Sequence, residues 1–307
     1  MNTLNLGLTL GPLQFFWPRE QVMQFYRAAV ELPLDTIYLG EVVCGRRQQL
    51  RTQDWIELAQ ELSLAGKRCV LSAQALIESE SDLKRLRKLI DNGQVGIEAN
   101  DLGAAKLARD SQVPFVAGPY LNIYNAETLA LFQRLGAYRW LPPLEMTRDT
   151  LSEIIAQGVA VETEVFAWGK LPLAFSSRCF TARHYNLSKD SCEFRCLEHA
   201  DGMLLSTREN QEFLTINGIQ TMSAECQSLL PHLADMAQIG VSAVRISPQS
   251  EGVAEIVRAF ADEIAGNHCD SQRLNHLQQL AGGSWVDGYW RGQAGIVHLQ
   301  EAEYART

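Results

Sequence analysis

Arg68-Cys69-Val70-Leu71-Ser72-Ala73-Gln74-Ala75-Leu76 reads as a buried strand, and Val95-Gly96-Ile97-Glu98-Ala99 reads as a second. Both are short, mostly apolar runs bounded by polar or turn-forming residues, the pattern of strands covered on two faces. Between them Leu83, Leu86, Leu89 and Ile90 recur at helical spacing. Ser79 precedes that helix and Gly93 follows it. Serine caps a helix start by accepting a free backbone N–H, and glycine takes the left-handed conformation that ends one. Strand, helix and strand in this order form a βαβ unit, which makes the two strands parallel.

The unit recurs in both directions. Further strand candidates are Leu4–Leu10, Thr36–Gly40, Phe115–Gly118, Tyr138–Pro142, Val161–Ala167 and Ala243–Ser247. Thr52 opens a helix carrying Trp55, Ile56, Ala59 and Leu62 that stops near Gly66. Asn125 opens one with Leu129, Phe132 and Leu135 before Gly136, and Thr147 opens one with Leu151, Ile154 and Ile155 before Gly158. Eight strands alternating with helices predict an α/β fold, a closed (β/α)8 TIM-like barrel. An open doubly wound sheet is the rival, weakened because no G-x-G-x-x-G follows the first strand.

Two regions interrupt the rhythm of what reads as one domain over 1–307. About 75 residues separate the seventh and eighth strands, far beyond a usual βα loop. This insert, about 169–240, holds the polar segment Arg178–Arg195, a strand and turn around Asn217-Gly218, and a helical pattern over Ala224–Gly240. The second is a tail, about 266–307, expected to be irregular and pinned by Trp285, Tyr289 and Trp290.

Composition narrows the function. The 307 residues are 46% apolar and 21% charged, with a net charge of −9. That charge argues against a nucleic-acid binder working through a broad basic field. No Lys or Arg precedes Arg19 and no run of about 18 apolar residues occurs, so neither an export signal nor a transmembrane segment is expected. The expected compartment is the reducing cytoplasm, where the seven cysteines serve as thiols, metal ligands or packing residues.

Cys44 falls just past the second strand, and Cys179, Cys192 and Cys196 fall in the insert. A barrel brings the loops after its strands to one face, so these four can meet. Four thiolates suit an iron–sulfur cluster or a tetrahedral zinc ion. The spacing C-x12-C-x3-C matches neither ferredoxins nor zinc ribbons, so unrelated thiols stay equally open on spacing alone. Arg178, Arg183 and Arg195 flank them, either offsetting thiolate charge or facing solvent. Cys69, Cys226 and Cys269 are assigned to packing or surface. Glu41, Asn122 and Glu145 lie near strand ends, where capping is as good a role as catalysis. His184 and His199 of the insert are possible zinc ligands, though a solvent-facing loop histidine is commoner. Ser176-Ser177 has no G-x-S-x-G frame and no H-E-x-x-H occurs, so common hydrolase signatures are absent.

Three blocks resemble the U32 peptidase-like family: Ile37 to Cys44, Leu121-Asn122-Ile123-Tyr124-Asn125, and Ser177-Arg178-Cys179-Phe180-Thr181-Ala182-Arg183. Asn217 to Ser223, Arg245-Ile246-Ser247-Pro248-Gln249 and Asp287-Gly288-Tyr289-Trp290-Arg291 resemble the branch serving oxygen-independent ubiquinone biosynthesis. The resemblance implies a 4Fe-4S cluster on Cys44, Cys179, Cys192 and Cys196; peptidase activity is not expected, because the sequence supplies no recognisable protease nucleophile or zinc site. It further implies a heterodimer with a UbiU-like paralogue that hydroxylates the aromatic ring of ubiquinone precursors without O2. A lipid-binding accessory protein is a further expected partner, and no nucleic acid is expected. The alternatives are a structural four-cysteine zinc scaffold and an RNA hydroxylation factor.

Overall fold

The computed structural model describes residues 3–298; the end of the expected tail, 299–307, lies outside the described residues. Along the chain run β1 (Gly7–Leu10), α1 (Arg19–Ala29), β2 (Thr36–Leu39), α2 (Thr52–Leu64), β3 (Arg68–Ser72) and α3 (Glu80–Ile90). Next come β4 (Gly96–Ala99), α4 (Leu102–Asp110), β5 (Phe115–Ala117), α5 (Ala126–Arg134), β6 (Ala137–Trp140), α6 (Arg148–Ala156) and β7 (Glu162–Phe175). The insert contributes α7 (Phe180–His184), β8 (Met203–Ser206), β9 (Glu212–Asn217) and β10 (Gln220–Ser228). The chain continues through α8 (Leu233–Ile239), β11 (Ala243–Ile246), α9 (Val253–Ile264), α10 (Ser271–Leu280) and β12 (Trp285–Val286).

β1 to β7 pair in sequence order, and β11 pairs in parallel with both β7 and β1. Val244 of β11 stands opposite Leu8 on one side and Val165 on the other, so the eight strands close. The chain therefore folds as the expected (β/α)8 barrel. Three of the four caps read from sequence are present; Thr52 is instead the first residue of α2, whose N-cap is Arg51, with Asp54 accepting the Arg51 N–H. Ser79, Asn125 and Thr147 each accept a backbone N–H with their side-chain oxygen. Gly66, Gly93, Gly136 and Gly158 all have positive φ just past their helices.

Strand alternation sorts the side chains. Leu8, Leu10, Ile37, Leu39, Leu71, Ile97, Val165, Val244 and Ile246 belong to the main core packed with the helices. On the opposite faces, inside the barrel, Tyr38, Val70, Val116 and Leu141 form a separate cluster. An ionic layer joins it. Arg245 donates from Nε to Glu164 Oε1 (2.7 Å) and from Nη1 to Glu98 Oε1 (2.7 Å). Arg139 and the Tyr38 hydroxyl donate to the other Glu164 oxygen (3.0 and 2.6 Å). Burial pushes the Glu164 carboxyl up, but Arg245, Arg139 and the hydrogen bonds outweigh it and hold it below the ordinary carboxylate range.

The insert departs from its expected outline. β7 passes beyond its parallel segment at Gly169, whose φ of +126° turns it out of the barrel. Its second half pairs antiparallel with β10, and β9 and β8 extend that arm. Asn217-Gly218 makes the β9–β10 turn, with Gly218 at φ +68°. The stretch Ala224–Gly240, read as helical, is a strand as far as Ser228, and only Leu233–Ile239 is α-helix. Cys226 is thus a buried strand residue, opposite Lys170 of β7 and Trp285 of β12. Ladder pairing on both sides overrides local helical spacing there. The described part of the tail also carries regular structure, α10 and β12. Its anchors are Trp285, edge-on to Trp168 (5.6 Å between rings), and buried Asp287, which accepts from His232 (2.9 Å) and Arg291 (2.9 Å). Among the described residues no helix is long and apolar enough to cross a membrane.

Candidate metal centre

Three segments meet over the carboxyl ends of β1 and β2. The loop after β2 begins at Glu41, whose carboxylate accepts the backbone N–H groups of Val43 and Cys44 (3.0 Å each). Burial pushes the Glu41 carboxyl up to about 7, even with Arg47 and those N–H groups acting against it. Arg47, almost fully buried, donates from Nη1 to the Gln14 carbonyl (2.8 Å) and from Nη2 to Asn217 Oδ1 (2.6 Å). The same Gln14 carbonyl accepts Asn217 Nδ2 (2.8 Å). One carbonyl after β1 thereby ties the Cys44 loop to the β9–β10 turn.

Cys44, Cys179, Cys192 and Cys196 border one small cavity at this junction, with Arg46, Arg47, Lys189, Arg195, Phe194 and Gly218. The expected four thiols therefore come together. Local backbone geometry accounts for how. Cys179 occupies the N-cap position of α7, and its Sγ accepts the Ala182 N–H (3.4 Å). Between Cys192 and Cys196, Glu193 and Phe194 both take positive φ (51° and 55°). Such a bend is unfavourable for a bulky side chain and persists only when its surroundings enforce it. Burial raises the Cys44 and Cys196 thiols above their ordinary range, while the Arg47 charge pulls both down.

The arginines give the cavity its polarity. Arg46 is fixed by Asp190, Arg47 by Gln14 and Asn217, and Arg195 by Glu193 and Glu198, each through both Nη groups. The Nε atoms of all three are buried without a hydrogen-bond partner. Buried N–H groups are almost always paired, so these three donors on residues lining a four-thiol cavity leave room for a further acceptor. Four soft donors and three oriented cations fit an iron–sulfur cluster. Among the described residues no group of three or more His, Cys, Asp or Glu is arranged to hold a metal ion.

The other candidates lie apart from this cavity. Glu145 accepts the Tyr124 hydroxyl, and Asn122 terminates a 3-10 turn with φ +54°. His184 packs on Tyr185, and His199 shares a hydrogen bond with the Tyr185 hydroxyl (2.8 Å). Ser176 Oγ accepts the Arg178 N–H (3.1 Å). Of the flanking arginines only Arg195 lines the cavity. Arg46 and Arg47 were missed, although they follow Cys44 after a single glycine and Arg-Arg so close to a candidate ligand was a readable signal. Cys69 is buried in the main core and Cys269 packs against it.

The model of peptidase family U32 matches residues 21–299. The chain belongs to that family. The U32 chain is 26% identical over 299 residues to a protein named collagenase from Porphyromonas gingivalis, covering 87% of this chain and 70% of that protein. It is 20% identical over 262 residues to tRNA hydroxylation protein P of Escherichia coli, covering 68% of this chain. The U32 chain spans 58% of that protein's length. Solved structures of related shape include thiamine phosphate pyrophosphorylase from Pyrococcus furiosus, at 10% identity and a TM-score of 0.44, covering 85% of this chain and 97% of that one. Tryptophan synthase from M. tuberculosis also has a TM-score of 0.44, at 15% identity, covering 91% and 92%.

Proposed function

We propose that this chain is an iron–sulfur protein of oxygen-independent hydroxylation, of the UbiV type within family U32. It would act with a UbiU-like paralogue on the aromatic ring of ubiquinone precursors, in the cytoplasm, with a lipid-binding protein presenting the substrate. The observation that carries the reading is the cavity bordered by four cysteines and three arginines with unpaired buried Nε atoms. Cys44, Cys179, Cys192 and Cys196 would hold a 4Fe-4S cluster, which supplies one-electron transfer when bound. The chain's own groups do the positioning. Glu41 fixes the Cys44 backbone, and Arg47, whose Nη groups hold a carbonyl and an amide oxygen, offsets thiolate charge.

A single zinc ion needs four sulfurs about 2.3 Å from one centre. A cubane spreads its cysteines around a larger body, and iron and sulfide analysis tells the two apart.

The similarity to tRNA hydroxylation protein P supports hydroxylation in general and favours RNA as the alternative substrate. The net charge of −9 disfavours RNA binding by this chain alone. A strain lacking the protein, grown without oxygen, separates the two when quinones and tRNA modifications are both measured. Loss of ubiquinone with intact tRNA is the expected result; intact ubiquinone refutes the proposal.

A further inference from the structure

A cavity of about 420 Å³ lies between α2 and α3, over the ends of β2 and β3. That volume falls within the range of small-molecule sites. Leu50, Trp55, Ile77, Leu86 and Leu89 form its apolar wall. Its charged lining is Arg47, Arg51, Arg85 and Lys88 against Glu41 and Asp82. Arg47 is committed to Gln14 and Asn217, while Arg85 is committed to Asp82 and to the Gly45 carbonyl (3.2 Å). Arg51 and Lys88 are exposed at the rim, and neither has an ion-pair partner among the described residues. The first turn of α2 opens on the same space, with Asp54 accepting the Arg51 backbone N–H at the helix start. The lining carries four cationic side chains against two carboxylates, a local positive excess in a chain of net charge −9.

A neighbouring cavity of about 590 Å³ shares Gly45, Gln48, Asp82 and Arg85 with the first and reaches Cys44, Lys189 and Phe194 of the thiol cavity. The Arg85–Asp82 pair stands between the two. Gly45 is held there so closely that an added Cβ would lie 2.5 Å from Asp82 Oδ1 and 2.9 Å from Arg85 Nη2.

We propose that the cavity between α2 and α3 binds a small organic anion with a flat apolar body. The body lies against Trp55, Leu86 and Leu89, and the anionic group lies between Arg51 and Lys88. Bound there, the ligand sits beside the loop that carries Cys44. The site is formed by α2, α3 and the strand ends, so it does not depend on the cysteines carrying a cluster.

The test is calorimetric titration of the full-length protein, kept anaerobic, with 4-methyl-, 4-ethyl-, 4-propyl- and 4-butylbenzoate. The matching benzamides serve as neutral probes. Each methylene that reaches the wall should tighten binding about fourfold. The Arg51→Glu/Lys88→Glu double variant changes exposed residues only, and should weaken benzoate binding tenfold or more while leaving the benzamides unaffected. Ile77→Trp fills the cavity and should abolish binding of both; Arg134→Glu, a distant exposed change, should alter nothing. Equal affinity for benzoates and benzamides, no dependence on chain length, or full binding by the double variant overturns the proposal. Iron and sulfide measured on the same samples keep this outcome separate from that of the cluster.

Discussion

Replacing Arg245 with Met removes the cation at the centre of the barrel's ionic layer. Arg245 is 4% exposed, and its partners Glu98 and Glu164 are 1% and 0% exposed. Its guanidinium also lies over the Tyr38 ring, 3.9 Å from the centroid. After the change Glu164 keeps Arg139, Tyr38 and Thr9, but Glu98 keeps only the Asn100 amide at 3.3 Å. Removing one partner of a buried ion pair costs about 3–5 kcal/mol, chiefly because the abandoned charge stays desolvated. The expected loss is about 4 kcal/mol, seen in urea as a midpoint lowered by roughly 1 M or more at unchanged slope. Adding Glu98→Gln removes the abandoned charge and should restore about 2 kcal/mol. The pH dependence has a definite sign. Because Glu164 is held below the ordinary carboxylate range, its contribution is present above its unfolded pKa and is lost as pH falls through its folded value. Without Arg245 that folded value rises, so acid unfolding should begin at a higher pH. A loss below about 1 kcal/mol in the single variant, or no recovery in the double variant, refutes the account of the ionic layer.

Two further outcomes are expected. Arg47→Lys keeps the charge but loses the fork that holds Gln14 and Asn217 together with the Nε donor. Fewer N–H groups available to the sulfurs should lower the reduction potential of the proposed cluster, read by an anaerobic redox titration followed by EPR; an unchanged potential contradicts a hydrogen-bonding role for Arg47 there. Asp287→Asn weakens the buried contacts to His232 and Arg291, costing about 3 kcal/mol locally. Limited proteolysis near the exposed Gly282-Gly283 should then be faster than in the unchanged protein.

The barrel was legible because its signals are local. Ser79, Asn125, Thr147 and the glycines past the helices act through neighbouring backbone, so their types reveal the ends of each unit. The convergence of Cys44 with the insert cysteines followed from topology alone. The ionic layer was not legible, since Glu98, Arg139 and Arg245 each sit singly within an apolar run, Glu164 follows Glu162-Thr163, and all four find partners only after closure. Cys226 was misplaced for a similar reason: its strand is held by β7 and β12, which are remote in sequence.

The central claim is that Cys44, Cys179, Cys192 and Cys196 hold an iron–sulfur cluster. Elemental analysis of anaerobically purified protein tests it most directly. The account predicts a brown protein with about four iron and about four acid-labile sulfide per chain, both lost in Cys44→Ala and retained in Cys69→Ala. A colourless protein carrying stoichiometric zinc and no sulfide would contradict it.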